Sequence, residues 1–330
     1  TSPDVISLHK ELKILKEKKI DNVLIEASSH GLDQGRLNGI KLKAGIFTNL
    51  SQDHLDYHKS LKNYLRAKLI LFEKLLTKNS YVITDKNIPQ FKQIKQISQK
   101  RQLRKIFVDK LEQEYDFSKF KLIGNFQKKN LMMAIKACEV LGLNKKKISK
   151  CFERLKSVKG RLELVKEYPD QTKVFIDFAH TPEAIKTAIN SLKTHYNRDV
   201  TIVFGCGGER DKNKRGKIGK IVNQLCNKIF ITDDNPRNEK PETIRKEIIK
   251  HIKKEKVYEI GNRTLAIKSA VKQSRPGEII LIAGKGHENI QDYGKKKFKT
   301  SDFEIIKNLK MTKKKTKFLI NSQQNNFILN

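Results

Sequence analysis

The chain has 330 residues, enough for two domains, and its 70 Lys and Arg against 36 Asp and Glu give a formal charge of +34. No apolar run is long enough to cross a bilayer, and four cysteines without paired or metal-ligand spacing favour the reducing cytoplasm. The basic residues are spread along the whole length and Trp is absent. A solvated lysine-rich surface therefore explains the charge better than a specific nucleic-acid function does.

The first half of the chain alternates between short apolar runs and helix-like spacing. The segments "NVLIEASSHG" and "AGIFTNLSQDHLDYH" each predict a short buried strand followed by polar residues. "YLRAKLILFEKLL" predicts a helix, "SYVITD" and "KIFVD" predict strands, and "NLMMAIKACEVLGL" predicts an amphipathic helix that ends at Gly142. The looser polar stretch "NKKKISKCFERLKSVKGRLE" predicts a domain junction.

The second half has a more regular rhythm, in which predicted strands are each followed by a segment compatible with a helix. The strands are expected to begin near Val174, Val200, Ile229, Val257 and Ile279. Such a βαβ succession predicts an α/β fold with a mostly parallel sheet and helices on both faces. Residues 311–330 are polar and aperiodic apart from short apolar groups, and we expect them to form a tail.

Polar clusters follow several of the apolar runs. In "NLSQDHLDYH", Asp53, His54, Asp56 and His58 lie within six positions. This density either holds a hard cation, which prefers oxygen ligands, or is a capped helix start with solvated polar groups. The spacing alone leaves both explanations open.

Two further clusters follow strands of the second half. "IVFGCGGERDKNKRG" is a glycine-rich turn whose backbone N–H groups would cradle an anion, with Arg210, Lys214 and Arg215 nearby. It is not the phosphate-binding G-x-x-x-x-G-K-[ST] loop. "FITDDNPRNE" is either an ordinary turn rich in Asp, Asn and Pro, or a ligand site in which Arg237 awaits a carboxylate.

Taken in order, the motifs resemble those of the Mur ligase family. They are "EASSHGLDQGR", "FTNLSQDHLDYH", "YLRAKLILF", "GNFQKKN", "GRLE", "DFAHTPEA", "FGCGGERDKNKR", "TDDNPRNE" and "AGKGHE". The resemblance covers about residues 1–310. It implies an incomplete central ATPase-like domain in residues 1–155 and a Rossmann-like C-terminal domain in residues 156–310.

The resemblance also implies a reaction. "DNPR" is similar to the form found in Mur ligases that use meso-2,6-diaminopimelate rather than L-lysine. The implied activity is ATP-dependent ligation of that amino acid to UDP-N-acetylmuramoyl-L-alanyl-D-glutamate, through an acyl phosphate, in peptidoglycan synthesis. The distal centre of meso-diaminopimelate carries an ammonium and a carboxylate, so its site needs an acid and a bidentate arginine. L-Lysine lacks that carboxylate and would leave the arginine unpaired.

The family pattern assigns roles to individual residues. Implied ligands for two Mg²⁺ ions are Glu26, His54 and Lys68, the last as a carbamate formed with CO₂. Implied catalytic residues are Lys68 and His180. Implied contacts to the UDP-muramoyl dipeptide are Thr1, Ser2, Ser28, Gln34 and Arg36. Implied contacts to meso-diaminopimelate are Arg210, Asp234, Asn235, Pro236, Arg237, Gly284 and Glu288. Implied contacts to ATP are Asn130, Arg161, Asp177 and His180.

The chain also departs from the family pattern. The family's uridine-nucleotide domain and its glycine-rich "GKT" loop for the ATP phosphates are expected to precede Thr1, so we expect this chain to begin inside a longer protein and to be nearly inactive alone. Gln127 stands where the family usually has Asn. A monomer is expected.

Three alternatives remain at the level of the sequence. The first is a Mur-type ligase for L-lysine, or a polyglutamate-adding relative, against which "DNPR" and Arg210 argue. The second is a basic nucleic-acid-binding protein on an α/β scaffold. The third is a non-catalytic fragment or relic that only binds an amino acid or ATP.

Overall fold

The computed structural model describes residues 2–109 and 114–310, which form two α/β units on separate sheets. The first unit has three parallel strands, paired in chain order: β1 (Leu42–Phe47), β2 (Leu76–Asp85) and β3 (Arg104–Val108). Its α-helices are α1 (Val5–Glu17), α2 (Ser29–Asp33), α3 (Leu55–His58), α4 (Leu61–Ile70), α5 (Phe91–Lys100), α6 (Asn125–Val140) and α7 (Lys145–Ser149). A π-helical turn at Leu71–Leu75 and a 3₁₀ turn at Phe152–Arg154 complete it.

The second unit is built on a six-stranded sheet. Its strands are β4 (Glu163–Glu167), β5 (Lys173–Asp177), β6 (Val200–Phe204), β7 (Ile229–Ile231), β8 (Val257–Glu259) and β9 (Ile279–Ala283). Their order is β4-β5-β9-β6-β7-β8, with only the β4–β5 pair antiparallel. The predicted α/β class with a mostly parallel sheet is therefore confirmed.

Helices cover both faces of this larger sheet. They are α8 (Pro182–Tyr196), α9 (Asn213–Leu225), α10 (Pro241–Ile249), α11 (Arg263–Lys272) and α12 (Asp302–Asn308), with a 3₁₀ turn at Lys254–Lys256. Residues of α8, α9 and α10 share a core with one set of strand side chains, and α11 and α12 share a core with the alternate set. Because both faces are buried, the strands read as continuous apolar runs, which is why the sequence revealed them.

The element after β9 differs from the predicted rhythm. Instead of passing directly into a helix, the chain forms a hairpin of β10 (Ile290–Tyr293) and β11 (Lys296–Lys299) before α12. Gly294 adopts φ +73° in its turn, a conformation that glycine accommodates readily. The hairpin lies next to the loop that follows β7, since the Arg237 N–H donates to the Asp292 carbonyl at 2.9 Å.

The strand predicted in "NVLIEASSHG" is wrong. Residues 21–28 form neither helix nor strand, and Leu24 is 86% exposed. A strand is stabilised by a neighbour that takes up its backbone hydrogen bonds. Among the described residues β1 pairs only with β2, so no ladder reaches this segment.

The predicted domain junction is partly folded. α7 and the 3₁₀ turn at Phe152–Arg154 lie inside it, and Ile148 and Phe152 join a core with Met132 and Met133 of α6. The boundary between residues 155 and 156 stays a prediction, and the predicted 311–330 tail lies outside the described residues. Within the described ranges, no helix combines the length and apolarity needed to cross a membrane.

A buried ion pair fastens the end of the second unit's sheet. Arg263 at the start of α11 donates from Nε to Asp302 Oδ1 at 2.8 Å and from Nη2 to Oδ2 at 2.7 Å. Nη2 also donates to the carbonyl of Ala283, the last residue of β9. Removing one partner of such a pair costs about 3–5 kcal/mol, because the other charge is left buried. The pair therefore fixes the carboxyl end of β9, which Gly284 follows.

A candidate active site between the two units

A cavity of about 750 Å³ lies between the two units. The first unit contributes Glu26, Ala27, Ser28, Ser29, His30, Arg36, Asp53, His54, Asp56, Tyr64 and Lys68. The second unit contributes Arg161, Phe178, His180, Gly205, Cys206, Gly207, Arg210, Asp211, Lys214, Asp234, Asn235, Arg237, Gly284, His287 and Glu288. Apart from Arg161, which precedes β4, the second group follows the carboxyl ends of parallel strands, where ligands bind in open α/β sheets.

His180 meets Asp53 across this boundary. Its Nδ1 lies 2.8 Å from the Phe178 carbonyl oxygen, and its Nε2 lies 3.3 Å from Asp53 Oδ2. Each ring nitrogen therefore faces a hydrogen-bond acceptor, one from each unit. Although burial opposes it, the hydrogen bond and charge from His180, with a smaller contribution from His54, hold the pKa of Asp53 well below its usual range.

Three further polar contacts join the same surfaces. Arg210 Nη1 donates to Asp56 Oδ2 at 2.8 Å. Gln52 Nε2 donates to Asp211 Oδ2 at 2.7 Å, and Lys217 Nζ donates to Gln52 Oε1 at 2.6 Å. Together with His180–Asp53, we call these the closing contacts. They bring the loop before α3 against the glycine-rich loop between β6 and α9.

Lys68 lies in the last turn of α4, on the first-unit side of the cavity. Its Nζ donates to the Asn49 carbonyl at 3.3 Å and stands 5.2 Å from the centre of the Tyr64 ring. Burial lowers the pKa of Lys68, against the opposing charges of Asp53 and Glu26. A lysine in such a setting is neutral more often than an exposed one, as reaction with CO₂ requires.

The residues expected to hold magnesium fit that ion chemically. Glu26 supplies a carboxylate, and burial lowers the pKa of His54, which favours the neutral imidazole that a metal binds. A carbamate on Lys68 would add the oxygen donors that Mg²⁺ prefers. Glu26, His54 and Lys68 all line the cavity.

The broader four-residue cation cluster is wrong. His58 is buried, with Nε2 3.0 Å from Ser29 Oγ and its ring stacked on Tyr64, and Asp56 is engaged by Arg210. Within residues 2–109 and 114–310, no group of three His, Cys, Asp or Glu side chains converges on a common metal position.

The second-unit side of the cavity holds the carboxylate of Asp234. The residue is 8% exposed, and within the described residues its side chain has neither a hydrogen bond nor a close ion pair. Its oxygens are not sealed from the cavity, and its charge acts on the buried Arg263. A Cβ at Gly284, which has φ +110°, would lie 2.6 Å from Asp234 Oδ2, so only glycine leaves this carboxylate room. Arg237 lines the same cavity and donates from Nη1 to the Gly208 carbonyl at 2.6 Å.

The glycine-rich loop between β6 and α9 packs against the loop after β7 and does not form the open anion-binding turn that the sequence suggested. A Cβ at Gly208 would lie 1.8 Å from the Pro236 carbonyl oxygen, and the Gly208 N–H donates to the Asn235 carbonyl at 2.9 Å. Arg215, expected near an anion, is instead 1% exposed and paired with Glu239 and Glu247. The loop after β7 and the glycine-rich loop therefore fold as one packed surface.

The residues expected to contact the UDP-muramoyl dipeptide divide into two groups. Ser28 and Arg36 line the cavity, whereas Ser2 and Gln34 do not. Arg36 nevertheless donates from Nη1 to the Ser2 carbonyl at 2.8 Å and from Nε to Gln34 Oε1 at 3.0 Å. Ser2 and Gln34 thus hold the guanidinium, and Thr1 lies outside the described residues.

The residues expected to contact ATP divide in the same way. Arg161 and His180 line the cavity, with the Arg161 guanidinium 4.7 Å from the centre of the Phe178 ring. Asp177 is buried, which raises its pKa, and it accepts backbone N–H bonds from Leu162 and Ala179. Asn130 lies on the exposed side of α6, outside the cavity lining.

Pro236 is also outside the lining, while its six companions in the predicted amino-acid site line the cavity. Sequence reasoning offered Asp53 and Asp56 as possible cation ligands and placed Lys285 in the polar motif "AGKGHE", but it gave none of the three a protein partner. The partners of Asp53 and Asp56 lie more than 120 positions away.

Comparisons with known proteins agree with the fold and the site. A family model of the Mur ligase middle domain matches residues 1–119, and one of the Mur ligase glutamate ligase domain matches residues 160–286. The UDP-N-acetylmuramoyl-L-alanyl-D-glutamate–2,6-diaminopimelate ligase of Rickettsia conorii is 39% identical over 331 positions, covering 93% of this chain and 68% of that protein. The ligase of the same name from Rhizobium meliloti is 36% identical, with 93% and 67% covered.

Solved structures extend this agreement. A ligase of the same name has a TM-score of 0.58 and 28% identity, covering 92% of this chain and 67% of that one. Folylpolyglutamate synthase from Mycobacterium tuberculosis, with a TM-score of 0.61 at 17% identity, covers 76% of this chain and 62% of that one and shares the fold alone. The class is that of ATP-dependent ligases. This chain belongs to the Mur ligase family, which confirms the resemblance and sets aside the nucleic-acid alternative.

Proposed function

We propose that this chain carries the amino-acid site and the metal-binding side of a ligase that joins meso-2,6-diaminopimelate to UDP-N-acetylmuramoyl-L-alanyl-D-glutamate at the expense of ATP. The observation that supports it most directly is the Asp234 carboxylate, which has no hydrogen bond or close ion pair among the described residues and lines one cavity with Arg237 and Glu288. The two curated relatives described above carry the name of that ligase. The reaction belongs to peptidoglycan precursor synthesis, which we place in the cytoplasm.

The arrangement suits an amino acid with a zwitterionic far end. Asp234 and Glu288 would receive the distal ammonium, and Arg237 with Arg210 would receive the distal carboxylate. Arg210 is held by Asp56 in this structure, so the substrate carboxylate would take the place of Asp56. L-Lysine would leave these arginines without an anion, which disfavours it.

The proposed chemistry has two steps. The D-glutamyl side-chain carboxylate attacks the terminal phosphoryl group of ATP, giving an acyl phosphate and ADP. The amine of the amino acid then attacks the acyl carbon, phosphate leaves, and the amine loses a proton. Glu26, His54 and carbamylated Lys68 would hold Mg²⁺, which offsets the charge on the phosphates when bound.

The chain's own residues would protect and orient these steps. The closing contacts other than Arg210–Asp56 would exclude water, which would otherwise hydrolyse the acyl phosphate. His180, fixed by Phe178 and Asp53, presents a polarised ring at the meeting of the two units, where negative charge develops. A monomer with two bound Mg²⁺ ions remains the expectation.

A ligation assay tests the proposal. The complete reading frame around this chain would be supplied with UDP-N-acetylmuramoyl-L-alanyl-D-glutamate, ATP and Mg²⁺, with meso-diaminopimelate and L-lysine in separate reactions. We expect product with meso-diaminopimelate only. Product with L-lysine instead would keep the ligase and overturn the role of Arg237, and no product with either would refute the proposed function.

The Arg237→Ala variant sharpens the test. We expect it to weaken meso-diaminopimelate binding by about 3 kcal/mol, because the substrate carboxylate loses its ion partner in a largely enclosed site. Arg198→Ala is the matched control, since Arg198 also donates to a glycine carbonyl, that of Gly277, but both residues precede inner strands and so lie at the amino-terminal ends of the strands, away from the cavity. Equal affinity of Arg237→Ala and the control would contradict the assignment.

A further inference from the structure

Lys285 is fully buried and does not line the cavity. Its ammonium has three acceptors: Asn235 Oδ1 at 3.1 Å, Glu288 Oε2 at 3.1 Å and the Ile290 carbonyl at 2.5 Å. These match the three N–H donors of a lysine. A buried charge is tolerated only when it is paired and hydrogen-bonded, and this one is paired with two residues of the proposed amino-acid site.

The contact fixes which way the Asn235 amide points. Asn235 Oδ1 accepts from both Lys285 Nζ and the Asp292 N–H, the latter at 2.9 Å. The amide nitrogen must then face the other way, and Nδ2 donates to Glu288 Oε2 at 3.1 Å. A flipped amide would place its N–H₂ group against two donors, so Lys285 selects one orientation.

The same contact orients Glu288. Its Oε2 receives both Lys285 and Asn235, while Oε1 has no hydrogen-bond partner within the described part of the chain. Glu288 lines the cavity and is about one-third exposed, whereas Lys285 is sealed behind it. One carboxylate oxygen is therefore anchored to the protein, and the other remains available to a ligand.

We propose that Lys285 is a positioning residue that sets the stereoselectivity of the amino-acid site, an inference that rests on the proposed function. Recognition of one configuration needs three fixed points around the distal carbon. Arg237 fixes the carboxylate, the anchored Glu288 with Asp234 fixes the ammonium, and the chain of the amino acid is the third. If Glu288 and Asn235 rotate, the ammonium position is no longer unique. The LL isomer, in which ammonium and hydrogen are exchanged at that carbon, then fits better than before.

The test compares kcat/KM for meso- and LL-diaminopimelate in the complete ligase and its Lys285→Met variant. Met has similar length without the ammonium, so the buried volume changes little. We expect the ratio of meso to LL to fall about tenfold or more, since the lost contacts include a charged hydrogen bond. KM for ATP should stay unchanged. Lys268→Met, at an exposed lysine of α11, is the matched control and should leave the ratio unaltered.

The outcomes separate this inference from the proposed function. No ligation of meso-diaminopimelate by the unaltered enzyme would refute the function itself. Ligation by Lys285→Met with an unchanged ratio, even at a lower rate, would refute the positioning role and leave the function standing. If Lys285→Met does not fold, Lys285→Gln keeps a donor for Asn235 without the charge. The proposal then requires a reduced ratio in Lys285→Gln, and an unchanged ratio overturns it.

Discussion

At the scale of single residues, two buried charges near one another have opposite surroundings. Lys285 has every donor satisfied by protein, whereas the Asp234 carboxylate has no hydrogen bond among the described residues and its oxygens are open to the cavity. A carboxylate that lines a cavity with its oxygens free is available to bind the ammonium of a ligand. Sequence reasoning found both Asp234 and Lys285 through their motifs but did not predict the burial of Lys285, because a lysine between two glycines shows no local sign of it. Its acceptors come from the separate loops after β7 and β9.

Lys68 provides a prediction at this scale. Since burial lowers the pKa of Lys68, its neutral amine is present at lower pH than for an exposed lysine, and CO₂ reacts with the neutral form. We expect a carbamate carbon signal in the NMR spectrum of this chain in ¹³C-bicarbonate. The signal should grow as pH rises, because deprotonation precedes the reaction.

The control for that measurement is Lys68→Arg, which keeps the charge and should lack the signal. A wild-type spectrum identical to that of Lys68→Arg across the pH range would argue that Lys68 remains an ordinary amine. Signals shared by both proteins would come from other lysines or from the N-terminus and are subtracted.

At the scale of elements, the sequence correctly predicted the strands and helices whose residues show a clear local pattern. The strands β5, β6 and β9 are continuous apolar runs bounded by turn residues, and α8 begins at Pro182 as expected. The apolar run before Glu26 has the same local pattern but forms no strand. Strand formation depends on a neighbour supplied from elsewhere, so periodicity alone cannot decide it. The packing of the glycine-rich loop against Pro236 was likewise invisible, because it joins segments about 30 positions apart.

That packing makes Gly208 sensitive to substitution. We expect Gly208→Ala to lower the free energy of unfolding by about 1–3 kcal/mol, because its Cβ would overlap the Pro236 carbonyl and push the loop after β7 away. Chemical denaturation measures this change, and binding of meso-diaminopimelate should weaken with it.

Gly142→Ala is the control for Gly208→Ala. Gly142 has φ +88° at the end of α6 and open space around its Cβ position, so it reports the cost of backbone strain alone, about 1–2 kcal/mol. If Gly208→Ala proves as stable as the unaltered chain and binds as well, the close approach is not a constraint.

At the scale of the whole molecule, the closing contacts are all polar and join two separately built sheets. Exposed and half-exposed charges attract weakly and are screened by salt. Ile123 and Phe126 of the first unit pack against the core of the second. We therefore expect the polar closing contacts to open and re-form about this apolar contact, as a ligase must to admit three substrates. The sequence indicated two domains and motifs on both. The contact between His180 and Asp53 could be found only from the fold, because neither motif indicates which residue its side chain contacts.

Asp53→Asn tests this closure. The pKa of Asp53 is held below its ordinary value of 3.8, so its carboxylate supports closure at all pH values above about 4, and the contribution is lost as pH falls further. Removing that charge should increase the radius of gyration measured by small-angle X-ray scattering at neutral pH, as high salt should in the unaltered chain.

Asp199→Asn is the matched control for closure, because Asp199 pairs with Lys193 inside the second unit. It should leave the radius of gyration unchanged. If Asp53→Asn and the unaltered chain scatter identically at both low and high salt, the His180–Asp53 contact does not hold the units together.

The separation of the two ligand sets has an evolutionary consequence. The proposed phosphate-side residues Glu26, His54 and Lys68 belong to the first unit, whereas Asp234, Arg237 and their companions follow strands of the second. An enzyme in which only the loops after β6, β7 and β9 were exchanged would keep the proposed metal ligands of the first unit and could bind a different amino acid. On the proposed assignments, a change of amino-acid selectivity would require few coordinated mutations, because the proposed amino-acid residues and the proposed metal ligands lie in different stretches of the chain.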